Sequence, residues 1–174
     1  MSLETSHLVL IPSSAQHLLA LIEQPDHFEK LTGFAAAEGL REFFVSGDVS
    51  PTWLASLQVA SGPDPWRYGF FVLDRDAQRV IGSAGFKGPP DASGMVEIAY
   101  GIVPSAEGKG YATEAASVLV DFALSHADVQ LIRAHTLPVP NASTRVLLKC
   151  GFRHVGSVID PEDGLVWRWE HGRD

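Results

Sequence analysis

Between Met95 and Val103 the side chains alternate. Val96, Ile98, Tyr100 and Ile102 fall on one side, and Glu97, Ala99, Gly101 and Val103 on the other, the two-residue period of a strand. Pro104 cannot continue a ladder, so the strand is expected to stop there. Beyond Gly110 the period changes: Ala115, Val118, Leu119 and Phe122 share one helical face, with Glu114, Ser117 and Asp121 largely off it. Gly108 and Gly110 lie between the two patterns, where the chain must turn sharply. The first turn of a helix leaves N–H groups without partners and carries the positive end of the helix dipole. Glycines let a phosphate approach such donors, and Lys109 adds a formal charge. On spacing alone, a tight turn that binds nothing is an equal reading. A dinucleotide fingerprint would need Gly or Ala where Thr113 stands, and a P-loop would need Ser or Thr where Gly110 follows Lys109, so neither fits.

The same patterns organise the rest of the chain. His7–Ile11 reads as a short strand ended by Pro12. A helix capped by Ser13 or Ser14 then runs through Leu18, Leu19, Leu21 and Ile22 until Pro25 stops it. Residues 26–65 are the least readable, with short helices expected at 38–44 and 52–59. Phe43, Phe44 and Trp53 are read there as helix packing, with a pocket wall as the alternative. Strands are expected at 68–73 and 79–86, and again at 131–136, which Pro138 ends. Asn141 is a suitable N-cap for a helix that Gly151 stops. Two strands around Asp160–Gly164 close the chain as a hairpin. Three successive antiparallel strands followed by a helix indicate an α+β fold.

With 174 residues the chain is expected to be one domain, residues 1–174, long enough to bury a core. Hydrophobic residues at 45% against 20% charged exclude a disordered chain. A net charge of −8 argues against a nucleic-acid binder. Cys150 is the single cysteine, so no internal disulfide can form, and it is expected to be a small buried apolar residue. The histidines show no metal-ligand spacing, so no metal is expected. No leader follows Met1 and no apolar run approaches the ~18 residues of a membrane span, so a cytoplasmic protein without membrane contact is expected.

The run Gly108-Lys109-Gly110-Tyr111-Ala112-Thr113-Glu114-Ala115 resembles the acyl-CoA-binding motif of the GNAT superfamily of N-acetyltransferases, Gln/Arg-x-x-Gly-x-Gly/Ala, with Gly110 and Ala112 at its last two positions. It is similar to the branch containing the ribosomal-protein N-terminal acetyltransferases. Glu107 stands where that motif has Gln or Arg, which would leave pyrophosphate binding to backbone amides and Lys109. The segment from Asn141 and Ser143 to Gly151-Phe152 resembles a second motif of the family, Asn-x-x-Ser…Lys-x-Gly-Phe, in the family's order.

The resemblance implies a mixed, mostly antiparallel central sheet of six to seven strands flanked by about four helices. It implies acetyl-CoA as cosubstrate and transfer of its acetyl group to a primary amine, either a peptide N-terminus or a small molecule. A homodimer is left open. Ile102, Val103, Gly108, Lys109, Gly110, Tyr111, Ala112, Thr113 and Asn141 would bind the cofactor, Asn141 having helix capping as its alternative role. An amine with a pKa of about 10 is protonated at neutral pH, so a base must take its proton before it attacks. Glu97, a carboxylate in an apolar strand, is the candidate base, with partial burial expected to raise its pKa and a solvated or salt-bridged residue on the exposed strand face as the alternative. Ser143 is the candidate donor to the departing thiolate, and His135 an alternative base. Leu147 occupies the position where many members carry a tyrosine, which excludes that tyrosine-dependent variant. A non-catalytic acyl-CoA-binding sensor or interaction module is the alternative function.

Overall fold

The computed structural model describes residues 2–45, 51–57 and 62–173. In chain order the strands are β1 (Leu3–Glu4), β2 (Leu8–Pro12), β3 (Ala35–Ala36), β4 (Phe70–Asp74), β5 (Arg79–Phe86), β6 (Met95–Ile102), β7 (Leu131–Thr136), β8 (Arg153–Asp160) and β9 (Gly164–Gly172). The helices are α1 (Ala15–Glu23), α2 (Pro25–Thr32), α3 (Glu42–Val45), α4 (Pro51–Leu57), α5 (Pro65–Tyr68), α6 (Tyr111–Leu124) and α7 (Ala142–Lys149). The sheet runs β1-β2-β4-β5-β6-β7-β9-β8, with β3 added alongside β5. Pairing is antiparallel except for β3 on β5 and β6 on β7. The α+β, mostly antiparallel expectation holds, and among the described residues nine strands and seven helices exceed the expected numbers. The surplus consists of two-residue strands and single-turn helices, too short to leave a periodic signal.

Helices cover both faces of the sheet, which is why the run Phe70–Leu73 is apolar without alternation. Phe70 meets Phe122 of α6 edge-on at 5.5 Å, and Phe71 meets Phe28 of α2 at 5.2 Å on the opposite face. Ser14 caps α1 by accepting from the His17 N–H, as its sequence position suggests. Pro25 does not close off the helical region: it opens α2, because a first-turn residue needs no N–H partner. Gly82 of β5 faces Gly101 of β6 so closely that an added Cβ would overlap the Gly101 carbonyl oxygen. Gly82→Ala is therefore expected to cost about 1–3 kcal/mol of stability, read by chemical denaturation.

His17 makes the fold acid-sensitive. Its Nδ1 is buried without a partner among the described residues, the ring lies against Phe71, and burial pulls its pKa below the usual 6.5. The folded state holds the neutral ring while the unfolded chain takes up a proton. This contribution to stability is thus complete above pH 6.5 and is lost as pH falls below it. His17→Phe is expected to flatten the dependence of the unfolding midpoint on pH between about 5 and 6.5, measured by urea denaturation.

The feature that positions the site is a fork. β6 and β7 pair at Met95–Leu131, Val96–Ile132 and Glu97–Arg133, and then separate. Past that point β6 stays on β5 as far as Ile102, and β7 stays on β9 as far as Thr136. Trp169 fixes β7 to β9 by donating its Nε1–H to the buried Thr136 hydroxyl at 3.0 Å.

Candidate active site

The chain leaves β6 through Val103, which is buried and donates its N–H to the Ile81 carbonyl at 2.8 Å. A short 3₁₀ turn, Pro104–Ala106, follows. Gly108 and Gly110 then take left-handed φ angles of 78° and 82°, with open space where a Cβ would stand. The backbone amides of residues 108–113 have no acceptor among the described residues. They border a cavity of about 570 Å³ lined on this side by Gly108, Gly110, Tyr111, Ala112 and Thr113. Across it, α7 contributes Ser143, Arg145, Val146 and Lys149, and β6 contributes Tyr100, Gly101 and Ile102.

Three residues expected at the cofactor are not among those lining this cavity, although the Lys109 amide belongs to the unpaired run. Val103 is spent on β5, and Lys109 and Asn141 do not line the cavity. Asn141 caps α7: its side chain accepts from the Thr144 N–H, and the Thr144 hydroxyl accepts from the Asn141 N–H, both at 2.9 Å. Arg145 and Lys149 bring positively charged side chains to the cavity lining. Their i, i+4 spacing on a helix beginning beside Asn141 was the signal for a shared face. Glu107 lines the cavity and Glu114 does not. Glu114 instead holds the N-terminal segment, accepting from the Thr5 hydroxyl at 2.6 Å and from the His7 N–H at 3.1 Å. Burial works to raise the pKa of Glu114, but these hydrogen bonds outweigh it and hold the carboxyl below its usual range. Phe43 also lines the cavity, its ring against Gly101, while Phe44 packs on the core; the side chain of Trp53 lies outside the described residues. Cys150 is half-buried, its thiol near the Thr113 carbonyl, and burial pushes its pKa up.

A second cavity, of about 150 Å³, occupies the fork itself. Glu97, His135, Lys87, Leu147 and Ser143 are among the residues that line it. Tyr100 and Ser143 line both cavities, so the two meet there. Burial pushes the Tyr100 phenol far above its usual pKa, so it stays protonated. Glu97 is both partly buried and salt-bridged. Its Oε2 lies 3.0 Å from Lys87 Nζ and accepts from His135 Nδ1 at 3.1 Å. Burial works to lower the pKa of Lys87, yet hydrogen bonding and attraction to Glu97, helped by Asp160 and Asp163, raise it above the usual 10.5. Lys87 therefore stays charged across the neutral range. Among the described residues, no group of three or more His, Cys, Asp and Glu side chains could hold a metal ion, and no helix is long and apolar enough to cross a membrane.

Residues 9–153 match the family described as acetyltransferase (GNAT) domain. The chain belongs to the GNAT acetyltransferase family. Its GNAT fold is shared with the ribosomal L7/L12 alpha-N-protein acetyltransferase RimL solved with coenzyme A, at a TM-score of 0.68 and 14% identity over 100% of this chain and 99% of that one. An aminoglycoside acetyltransferase solved with coenzyme A superposes with a TM-score of 0.62 at 19% identity, over 95% of both chains. In sequence, the GNAT chain is 36% identical to the Bacillus subtilis (strain 168) protein named uncharacterized N-acetyltransferase YjdG. That match covers 91 residues, 52% of this chain and about half, 52%, of the relative's length.

Proposed function

We propose that the protein is an acetyl-CoA-dependent N-acetyltransferase acting on a primary amine, with Glu97 as base. The observation that carries this reading is the meeting of the two cavities at Tyr100 and Ser143. One cavity offers unpaired amides and two cations to a polyanion, and the other offers a carboxylate to an amine. In this reading the diphosphate sits on the amides of residues 108–113, and the thioester arm runs into the fork beside β6. β6 amides that face the fork polarise the thioester carbonyl. The ammonium gives its first proton to Glu97, which passes it on to water; the freed nitrogen attacks the carbonyl carbon and its second proton then leaves to the emptied carboxylate. The C–S bond breaks, and the thiolate takes a proton from the Ser143 hydroxyl, which water replenishes. Lys87 keeps Glu97 in place without approaching the reacting atoms.

The acceptor is read as a peptide N-terminus or a small polyamine-like molecule, the two classes acetylated by the proteins of this fold named above. Thiol release from acetyl-CoA, followed across N-terminal peptides, diamines and aminoglycosides, tests the reading. Release that depends on one acceptor class supports it. Binding of acetyl-CoA without release on any acceptor would instead make the protein a binding module. Absence of binding would remove both readings.

The cations of α7 give a separate expected result. Arg145→Gln and Lys149→Gln should each weaken coenzyme A binding by roughly twofold to fivefold, the size of an exposed charge pair, and should flatten its salt dependence. Titration calorimetry at two ionic strengths reads both effects.

A further inference from the structure

Strand pairing places Glu97, Arg133, His135, Arg168 and Glu170 on one face of the sheet. Glu97 lies opposite Arg133, Arg133 opposite Glu170, and His135 opposite Arg168. The two arginines have different tasks. Arg133 is bound to one oxygen of Glu170 through two nitrogens, at 3.1 and 2.9 Å, and is thereby kept off Glu97. Arg168 turns to the histidine, its Nε–H donating to His135 Nε2 at 3.1 Å. A guanidinium only donates, so Nε2 must carry the lone pair of the ring. The ring proton then lies on Nδ1, and Nδ1 donates to Glu97 Oε2 at 3.1 Å. The side chains of His135 and Glu97 are 15% and 17% exposed, so water competes little for these contacts. From the β8–β9 turn, Asp160 adds negative potential at His135 and at Lys87, and Asp163 adds it at Lys87.

We propose that Arg168 is a positioning residue for acyl transfer. By occupying Nε2 it fixes His135 in the Nδ1–H tautomer. That tautomer, with Lys87, holds Glu97 by Oε2 and leaves Oε1 free to take the proton of the attacking amine. Oε1 has no hydrogen bond or ion pair among the described residues. Without Arg168, the His135 ring can move its proton to Nε2, which sets a bare Nδ1 against the carboxylate and releases it. The inference rests on the reading of Glu97 as base. It reaches a residue far from the family motifs in sequence, which only the β7–β9 register brings to the fork.

The test combines a spectroscopic and a kinetic readout on the full chain. Long-range proton–nitrogen spectra, with His135 assigned through His135→Gln, are expected to show a protonated Nδ1 and a bare Nε2 in the parent protein. Arg168→Met, which removes the donor and keeps the stem, is expected to give mixed tautomers. Its kcat should fall roughly tenfold, a fraction of what a general base contributes, while the KM for acetyl-CoA holds. Arg168→Gln, whose amide can still donate to Nε2, should recover part of both. In a Glu97→Gln background, Arg168→Met should cost nothing further. Mixed tautomers in the parent, an unchanged tautomer in Arg168→Met, or losses that multiply between the two sites would each overturn the proposal. Full kcat in Glu97→Gln would refute the base assignment instead, and the spectra would still decide whether the tautomer is fixed by Arg168.

Discussion

Replacing Glu97 by Gln is expected to lower kcat by ~100- to 10,000-fold while leaving the KM for acetyl-CoA nearly unchanged, since that is the range a positioned general base contributes. The amide keeps an oxygen for Lys87 and His135 but cannot take a proton. The loss should therefore fall on the chemical step and not on the fold. Lys87 is about half exposed, so losing its ion pair costs little stability. The deficit should narrow as pH rises toward the pKa of the acceptor amine, at about 10, because the free amine then forms without help. Steady-state thiol release from pH 7 to 10, with melting temperature as a control, checks both features. An equal deficit at every pH, or a collapsed melting temperature, would remove Glu97 from the role of base.

Gly110→Val is expected to weaken coenzyme A binding by about a hundredfold or more, the worth of two charge-assisted hydrogen bonds. Gly110 has a φ of 82°, and its side-chain position opens onto the free amides. A branched side chain would resist that backbone angle and stand where a phosphate must approach. Gly164→Val separates the two effects. Gly164 has a φ of 73° in the distant β8–β9 turn, also with open space at its Cβ position. It should lose comparable stability and bind coenzyme A as before. Calorimetric titration of both variants makes the comparison, and equal loss of affinity in the two would reduce the turn to a structural role.

The sequence carried the loop better than the fork. Gly108 and Gly110 flank a change from a two-residue to a helical period, and a backbone that must turn there needs left-handed angles at those positions. Asn141 as a cap was equally visible, because its preference is local. The surroundings of Glu97 were not visible. Lys87 just past β5 and His135 of β7 come to it, and Arg168 of β9 comes to His135; their arrival depends on register, which alternation alone does not number. The strand pattern allowed Glu97 either partial burial or a salt bridge, and the structure gives it both, with Lys87 as the partner that the sequence did not name. Adjacency in sequence points to Lys109 for the positive charge, and it could not show that α7 packs across the loop and brings Arg145 and Lys149 to the cavity lining.

A crystal structure of the protein with coenzyme A bound tests the central claim most directly. The account predicts the diphosphate on the amides of residues 108–113 and the sulfur in the fork between β6 and β7, beside Ser143 and on the path to Glu97 Oε1. Coenzyme A bound elsewhere, or with its arm outside the fork, would contradict it.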